Sequence, residues 1–431
     1  MKITLIHPFH YFGLNRFAHR LMPLHGITLA YLSRLIPPQH DVRIVYEARE
    51  PVDYTAPADL VAITTLTVTA NRAYRIADRY RQRGIKVILG GPHASARPTE
   101  AKQHADAVAI GNGETTLPHI IRDIENNCLK PFYHNYVPER LPPLENIAAP
   151  NRWCTSMMAS RGCEMNCEFC SMQSIFGKFY LQRRASEVIR EIKQVASPNI
   201  FFVDDNFFGT SRKTREFYSE LLEAVSQTGK NWYGQCRLPV VEDEAVVDIF
   251  ARTNCNALLI GFESLNPENS RQVTKQTVSR DYYLSVVRKL HNRGIGVVGS
   301  FIFGFDHDTP DTINRTLEFC ITAKMELALF TILTPFPGTA LFERLESEGR
   351  IISKNWDDYT MEKCVFRPRH FSPESLTAAL NRAEREFFSM RSIYRRSQLG
   401  MKYGYLEKFL AVNVLRNIGL KVTNALKTGA R

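Results

Sequence analysis

From Lys2 to Leu333, short apolar runs alternate with segments whose apolar residues recur at helical spacing. That alternation confines the chain to α/β folds built on parallel sheets, because a parallel strand needs a crossover to bring the chain back. In the first series Lys2–Ile6, Val42–Tyr46, Asp59–Thr64, Lys86–Leu89 and Ala107–Ile110 read as strands, and Gly26–Leu35 as a helix. Asn71–Gln82 is a second helix, with Ala73, Ile76, Ala77 and Tyr80 on one face. A doubly wound sheet of this kind binds ligands beyond the carboxyl ends of its strands. There the chain carries Thr64-Thr65-Leu66-Thr67, Gly90-Gly91-Pro92-His93 and Gly111-Asn112-Gly113-Glu114.

Residues 1–132 thus read as one domain, and 133–152, with Pro138, Pro142, Pro143 and Pro150, as a linker. A second series follows, with strands expected at Ser156–Ala159, Ile200–Val203, Trp232–Gln235, Ala257–Gly261, Val297–Phe303 and Leu327–Leu333. Such units over residues 153–350 suit a partial (β/α)6 barrel with its chemistry at the strands' carboxyl ends. From 351 to 431 the pattern turns helical and increasingly basic.

Composition closes several alternatives. Apolar residues make up 44% and charged residues 23% of the 431, which excludes a disordered or fibrous chain. The longest apolar run, Ile295–Phe305, is shorter than the roughly 18 residues of a membrane span. Met1–Ile6 is cut short by His7-Pro8 and does not read as a signal peptide, so the expected compartment is the cytoplasm. The net charge of +11 is concentrated at the end, where residues 391–431 carry nine basic side chains against the single acid Glu407. With the body nearly balanced, nucleic acid is not an expected partner.

The sharpest signal is Arg161-Gly162-Cys163-Glu164-Met165-Asn166-Cys167-Glu168-Phe169-Cys170. No cysteine precedes Cys128, yet three fall here within one loop. A structural zinc site asks for four protein ligands, and no fourth Cys or His lies at suitable spacing. Three thiolates on a [4Fe–4S] cluster leave one iron open to a further ligand. Zinc and unrelated core thiols are the competing readings. The other cysteines (Cys128, Cys154, Cys236, Cys255, Cys320 and Cys364) read as core thiols, with Cys364 also a candidate to approach a substrate.

The cysteine spacing after a first barrel strand resembles the radical S-adenosylmethionine (radical SAM) superfamily. The resemblance implies that Cys163, Cys167 and Cys170 hold a [4Fe–4S] cluster whose open iron chelates SAM, with reduction giving a 5′-deoxyadenosyl radical. It extends to Phe202–Phe207, Gly261–Ser264, Gly299–Gly304 and Thr334–Thr339 at later strand ends. It implies SAM contacts at Phe169, Asp205 and Glu263, and a one-electron donor such as flavodoxin or ferredoxin.

The domain ahead of the triplet resembles the cobalamin-binding members of that superfamily, many of which methylate unactivated carbons of small molecules. It implies cobalamin contacts at Thr65, Gly90, Gly91, His93, Gly111, Gly113 and Glu114. Mutase-type cobalamin domains carry Asp-x-His-x-x-Gly, where this chain reads Pro8-Phe9-His10-Tyr11-Phe12-Gly13. Without the orienting carboxylate, His10 is an ill-fixed cobalt ligand. A radical cyclase or oxidase with cobalamin idle is the alternative. A tRNA methylthiotransferase and a cofactor sensor fit less well. The basic tail carries three readings, a helical cap on the barrel, a contact with an anionic membrane at its inner face or, least favoured, a contact with nucleic acid. Gly419 interrupts its apolar run, which speaks for the cap.

Overall fold

The computed structural model describes residues 1–10, 27–134, 141, 153–209, 211–274, 279–397 and 413–414. Pro23–Gly26, Tyr11–Gly13, most of the expected linker and most of the basic tail lie outside the described residues.

The first sheet holds β1 (Lys2–His7), β2 (Asp41–Tyr46), β3 (Leu60–Thr64), β4 (Lys86–Gly90), β5 (Ala107–Ile110) and β6 (Phe132–His134). Its order is β2-β1-β3-β4-β5-β6, and all pairs are parallel. The order reverses between β1 and β3, which makes their carboxyl ends the switch point where ligands bind. Side chains alternate between two cores, as strand geometry requires. Val87 and Leu89 pack with Ala73, Ile76 and Tyr80 of the helix Ala70–Arg81. Ile88 faces Leu117 and Ile120 of the helix Gly113–Glu125 on the other side.

The sixth strand revises the expected linker boundary. Phe132–His134 pairs with β5, and Tyr133 donates its hydroxyl to Asp123 Oδ2 at 2.8 Å. A three-residue strand beside a proline-bearing stretch leaves too little periodicity to be read from sequence.

The second half opens with β7 (Cys154–Met157), followed by the hairpin of β8 (Ser160–Gly162) and β9 (Tyr180–Gln182). Next come β10 (Asn199–Phe202), β11 (Asn231–Arg237), β12 (Cys255–Glu263), β13 (Gly296–Phe303) and β14 (Leu327–Ile332). They form a six-stranded parallel sheet ordered β14-β13-β12-β11-β10-β7. With β7 and β14 at opposite edges, it is an open, curled half-barrel wrapped by helices. Trp232, Phe262 and Phe301 lie in its core.

The region from 351, expected as helical, begins instead with an extended strap. Ile351 bridges to Phe366, and Ile352 N–H donates to Val365 O at 3.0 Å. Regular helix returns at Pro373–Phe387 and Met390–Ser397. Trp356, Tyr359 and Val365 of the strap pack into the core of the first domain. Its apolar residues are thus spent on another domain, which removes the helical face that a self-contained bundle would need. Among the described residues no helix is long and apolar enough to cross a membrane.

Candidate active site

The cysteine loop leaves β8 at Gly162, whose φ is +97°. A Cβ there would come within 2.1 Å of Phe179 O, so only glycine fits. Gly162 N–H donates to Asp205 Oδ2 at 2.8 Å, and Cys170 N–H closes the loop onto Cys167 O at 3.0 Å. The other side of the loop is clamped by the helix Ala340–Ser347. Leu341 N–H donates to Glu168 O at 2.9 Å, and Arg344 Nη2 to Glu168 Oε1 at 2.9 Å. Phe169 packs edge-on to Phe305, with ring centroids 6.2 Å apart.

Cys163, Cys167 and Cys170 are free thiols at intermediate exposure. Burial, then the neighbouring Cys170 and Glu263, pushes Cys167 up to about 11. Burial also raises Cys170. Among the described residues no three His, Cys, Asp or Glu side chains converge to hold a single metal ion. A cubane bonds each thiolate to a different iron. Three free thiols on one clamped loop, sensing one another's charge, are a donor set that fits it.

Acidic groups stand at the neighbouring strand ends. Asp204 is fully buried and accepts from Ala159 N–H at 3.1 Å, Ser160 Oγ at 2.7 Å and Tyr218 OH at 2.9 Å. Burial still pushes its carboxyl up to about 6. Asp205 is likewise raised by burial. Glu263 ends β12 at φ +59°, and burial pushes it up to about 7. A Cβ on Gly261 would meet Glu263 Oε1 at 2.3 Å, so Gly261 gives the carboxylate room.

A cavity of about 400 Å³ opens between the two domains, beside the residues that lead into and out of the cysteine loop. Gly90, Gly91, Gly111, Gly113 and Glu114 line one side; Ser160, Arg161, Met172, Phe176 and Asp205 line the other. At Gly91 (φ +93°) a Cβ would meet Thr64 Oγ1 and Thr65 N at 2.9 Å, so glycine lets the loops close. Tyr31 and Asn112 also line the cavity. Asn112 is buried with its Nδ2 lacking a hydrogen-bond partner, and Tyr31 is buried with its hydroxyl facing Glu114. Burial, then the neighbouring Glu114 carboxylate, raises the Tyr31 phenol well above its usual value. The unpartnered Asn112 amide, beside glycine-lined walls, fits the amide-fringed, flat body of a corrin.

Two expected cobalamin contacts are not among the lining residues. Thr65 is fully buried, its N–H bonded to Gly90 O at 2.8 Å. His93 is buried edge-on against Trp356, with centroids 4.9 Å apart, and its Nε2 lies 3.5 Å from Glu100 Oε1. Both serve the wall from behind. His10 is outside the lining as well; its Nδ1 is 4.0 Å from Asp357 Oδ1. Cys364 is buried and donates to Phe366 O at 3.2 Å, as a core thiol, whereas Cys128 is exposed.

Sequence reasoning named Leu66 and Asn112 only as members of strand-end loops, passed over His7 and Tyr31, and gave Arg161 no role, although all line the cavity. Leu66 and Arg161 carried a signal. An exposed leucine amid threonines at a strand end, and an arginine two residues before Cys163, each ask for a partner.

Comparison with known proteins agrees with this geometry. Residues 157–320 match the radical SAM superfamily and residues 17–121 the B12 binding domain. The chain is similar to the bacteriochlorophyllide d C-12(1)-methyltransferase of Chlorobaculum tepidum, at 29% identity over 88% of this chain and 85% of that protein. It is 24% identical to the hopanoid C-2 methylase of Rhodopseudomonas palustris over 77% of this chain and 66% of that one. In fold it resembles the solved radical SAM methyltransferase TsrM of Kitasatospora setae, with a TM-score of 0.68 at 15% identity, covering 100% of this chain and 99% of that one. The chain belongs to the radical SAM enzymes that carry a cobalamin-binding domain.

Proposed function

We propose that the protein transfers a methyl group to an unactivated carbon of a lipophilic, polycyclic small molecule. One observation carries the reading: the interdomain cavity has the carboxyl edge of the first sheet as one wall, and as the other the residues that immediately precede and follow the cysteine loop, Ser160 and Arg161 of β8 and Met172 and Phe176 of the helix Ser171–Phe176. When bound, the cluster supplies the electron that cleaves SAM to methionine and a 5′-deoxyadenosyl radical, and cobalamin supplies the methyl group.

The chain's own residues would do the rest. Cys163, Cys167 and Cys170 would hold three irons, and Glu168 and Phe169, clamped by Arg344 and packed on Phe305, would keep that loop in place. Glu263 and Asp205 would meet the polar groups of SAM. Glycines 90, 91 and 111 would admit the corrin edge. Met158, Met172, Phe176 and Val203 give the barrel side an apolar lining that excludes water from a radical. The methylated substrates named for the Chlorobaculum and Rhodopseudomonas relatives, a bacteriochlorophyllide and a hopanoid, are both large and apolar. A small acidic one-electron carrier of the flavodoxin or ferredoxin kind would reduce the cluster.

For the basic tail the cap is the favoured reading. Arg396 is fully buried and donates to Met325 O, Glu326 O and Phe387 O at 2.9–3.0 Å. It also bonds Asn413 Oδ1 at 3.0 Å, while Asn413 Nδ2 donates to Glu326 O at 3.1 Å. Asn413 is therefore pinned at the amino end of β14, opposite the cysteine loop.

The test is anaerobic reconstitution with iron, sulfide and cobalamin, then incubation with methyl-labelled SAM and fractionated tetrapyrrole and triterpenoid extracts. Label in a lipophilic fraction, accompanied by 5′-deoxyadenosine, is the expected result. Label confined to water-soluble fractions would refute the substrate class.

A further inference from the structure

Arg161 reaches out of the barrel into the other domain. Its backbone is fixed in β8, where Arg161 pairs with Leu181 and Gly162 is held by Asp205. Its guanidinium bonds Glu114 in the first turn of the helix Gly113–Glu125 and lies 3.5 Å from Asn112 Oδ1. It also stands over the Tyr31 ring, 5.3 Å from the centroid. Tyr31, Leu141 and Met158 form a small apolar core here. The Glu114 side chain is only 5% exposed, so its charge depends on Arg161 for compensation.

The same four side chains, Tyr31, Asn112, Glu114 and Arg161, line the interdomain cavity. Asn112 Nδ2 is buried there without a partner, and the Tyr31 hydroxyl faces Glu114. Buried donors are nearly always bonded, so the occupant of the cavity supplies the acceptor that Asn112 lacks. Cys163 stands two residues beyond Arg161. One arginine is thereby held at its head by the cavity wall and at its backbone by the turn into the cysteine loop.

We propose that the Glu114–Arg161 ion pair links the two cofactor sites energetically, with Arg161 as a positioning residue that sets the Gly162–Cys163 turn according to what fills the cavity. The proposal rests on the reading that cobalamin occupies the cavity. An occupant bonded to Asn112 tightens the wall around Glu114 and so holds Arg161 more firmly in this position. A cluster on Cys163 orders the same residue from its backbone side. The second ligand to arrive meets an arginine already ordered, so each tightens the other, and the coupling is reciprocal. An arginine that merely glued the domains together would weaken cobalamin binding equally with and without the cluster.

The experiment titrates hydroxocobalamin into the full chain before and after anaerobic reconstitution with iron and sulfide. In the unaltered protein the affinity should rise at least about fivefold on reconstitution, the lower end of ordinary coupling between sites. In Glu114→Gln and in Arg161→Lys, which keeps the charge but loses the forked geometry, the ratio should fall to about one. Either variant suffices if the other does not fold. A ratio of one in the unaltered protein, or a ratio retained in the variants, overturns the link. Absence of hydroxocobalamin binding in both states overturns the cobalamin reading itself, and this proposal with it.

Discussion

The indole N–H of Trp356 lies 2.7 Å from Glu100 Oε1, joining a residue beyond the barrel to the first domain. Tyr74 OH bonds the same oxygen at 3.1 Å, and the His93 ring stands edge-on to the indole. The strap that carries Trp356 is therefore a structural part of the domain that it follows by more than two hundred residues. It braces the Thr67–Thr69 turn and the His93 loop from behind the cavity wall.

Trp356→Ala should destabilise the first domain by about 3–5 kcal/mol, the usual cost of deleting a large core aromatic. Thermal unfolding of the cofactor-free protein checks this. An unchanged transition would mean that the strap is only draped over the surface.

Glu100 gives a pH signature. Burial would raise its carboxyl, but hydrogen bonds from His93 and Trp356, the His93 charge and the bond from Tyr74 outweigh it and hold the carboxyl down at about 2. A depressed carboxylate contributes stability that is present above its unfolded value and lost as pH falls through the folded one. The window therefore runs from about 4.3 in the unfolded chain down to about 2. Glu100→Gln should flatten the acid limb of the stability curve between those limits. Identical acid limbs for the two proteins would contradict this assignment.

Gly162→Ala places a Cβ where Phe179 O already stands, at a φ that alanine adopts only under strain. The cost is on the order of 1–3 kcal/mol, concentrated at the entrance to the cysteine loop. Iron bound after reconstitution should fall to less than half of that in the unaltered protein. Full iron content in the variant would show that the turn is not needed to present the cysteines.

If the tail is a cap, the full chain should stay in the unbound fraction when floated with anionic vesicles at low salt. Recovery with the vesicles would restore the membrane reading, in which each basic side chain near the lipid adds about 1 kcal/mol.

Much of this was legible in the sequence because strand periodicity and cysteine spacing are local signals. The strands before and after the proline-bearing stretch, and the loop that carries Cys163, Cys167 and Cys170, follow from residues adjacent in the chain. The strap was not legible, since Trp356 is buried by His93 and Tyr359 rather than by a helix of its own. The packing of His93 was hidden for a related reason. A loop histidine beside two glycines suggests a ligand contact, and only the tertiary position of Trp356 and Glu100 shows its ring is already engaged. The role of Arg161 likewise depends on Glu114, 47 residues earlier.

On the proposed function, methyl transfer needs the cysteine loop and the interdomain cavity together. The most direct measurement follows labelled methyl and 5′-deoxyadenosine in the same reaction, using protein reconstituted with iron and sulfide, with and without cobalamin, and its Cys163→Ala variant. Methylated product should form only in the cobalamin-loaded protein that retains Cys163, with 5′-deoxyadenosine formed alongside it. Labelled product from the cobalamin-free protein, or from Cys163→Ala, would contradict the account.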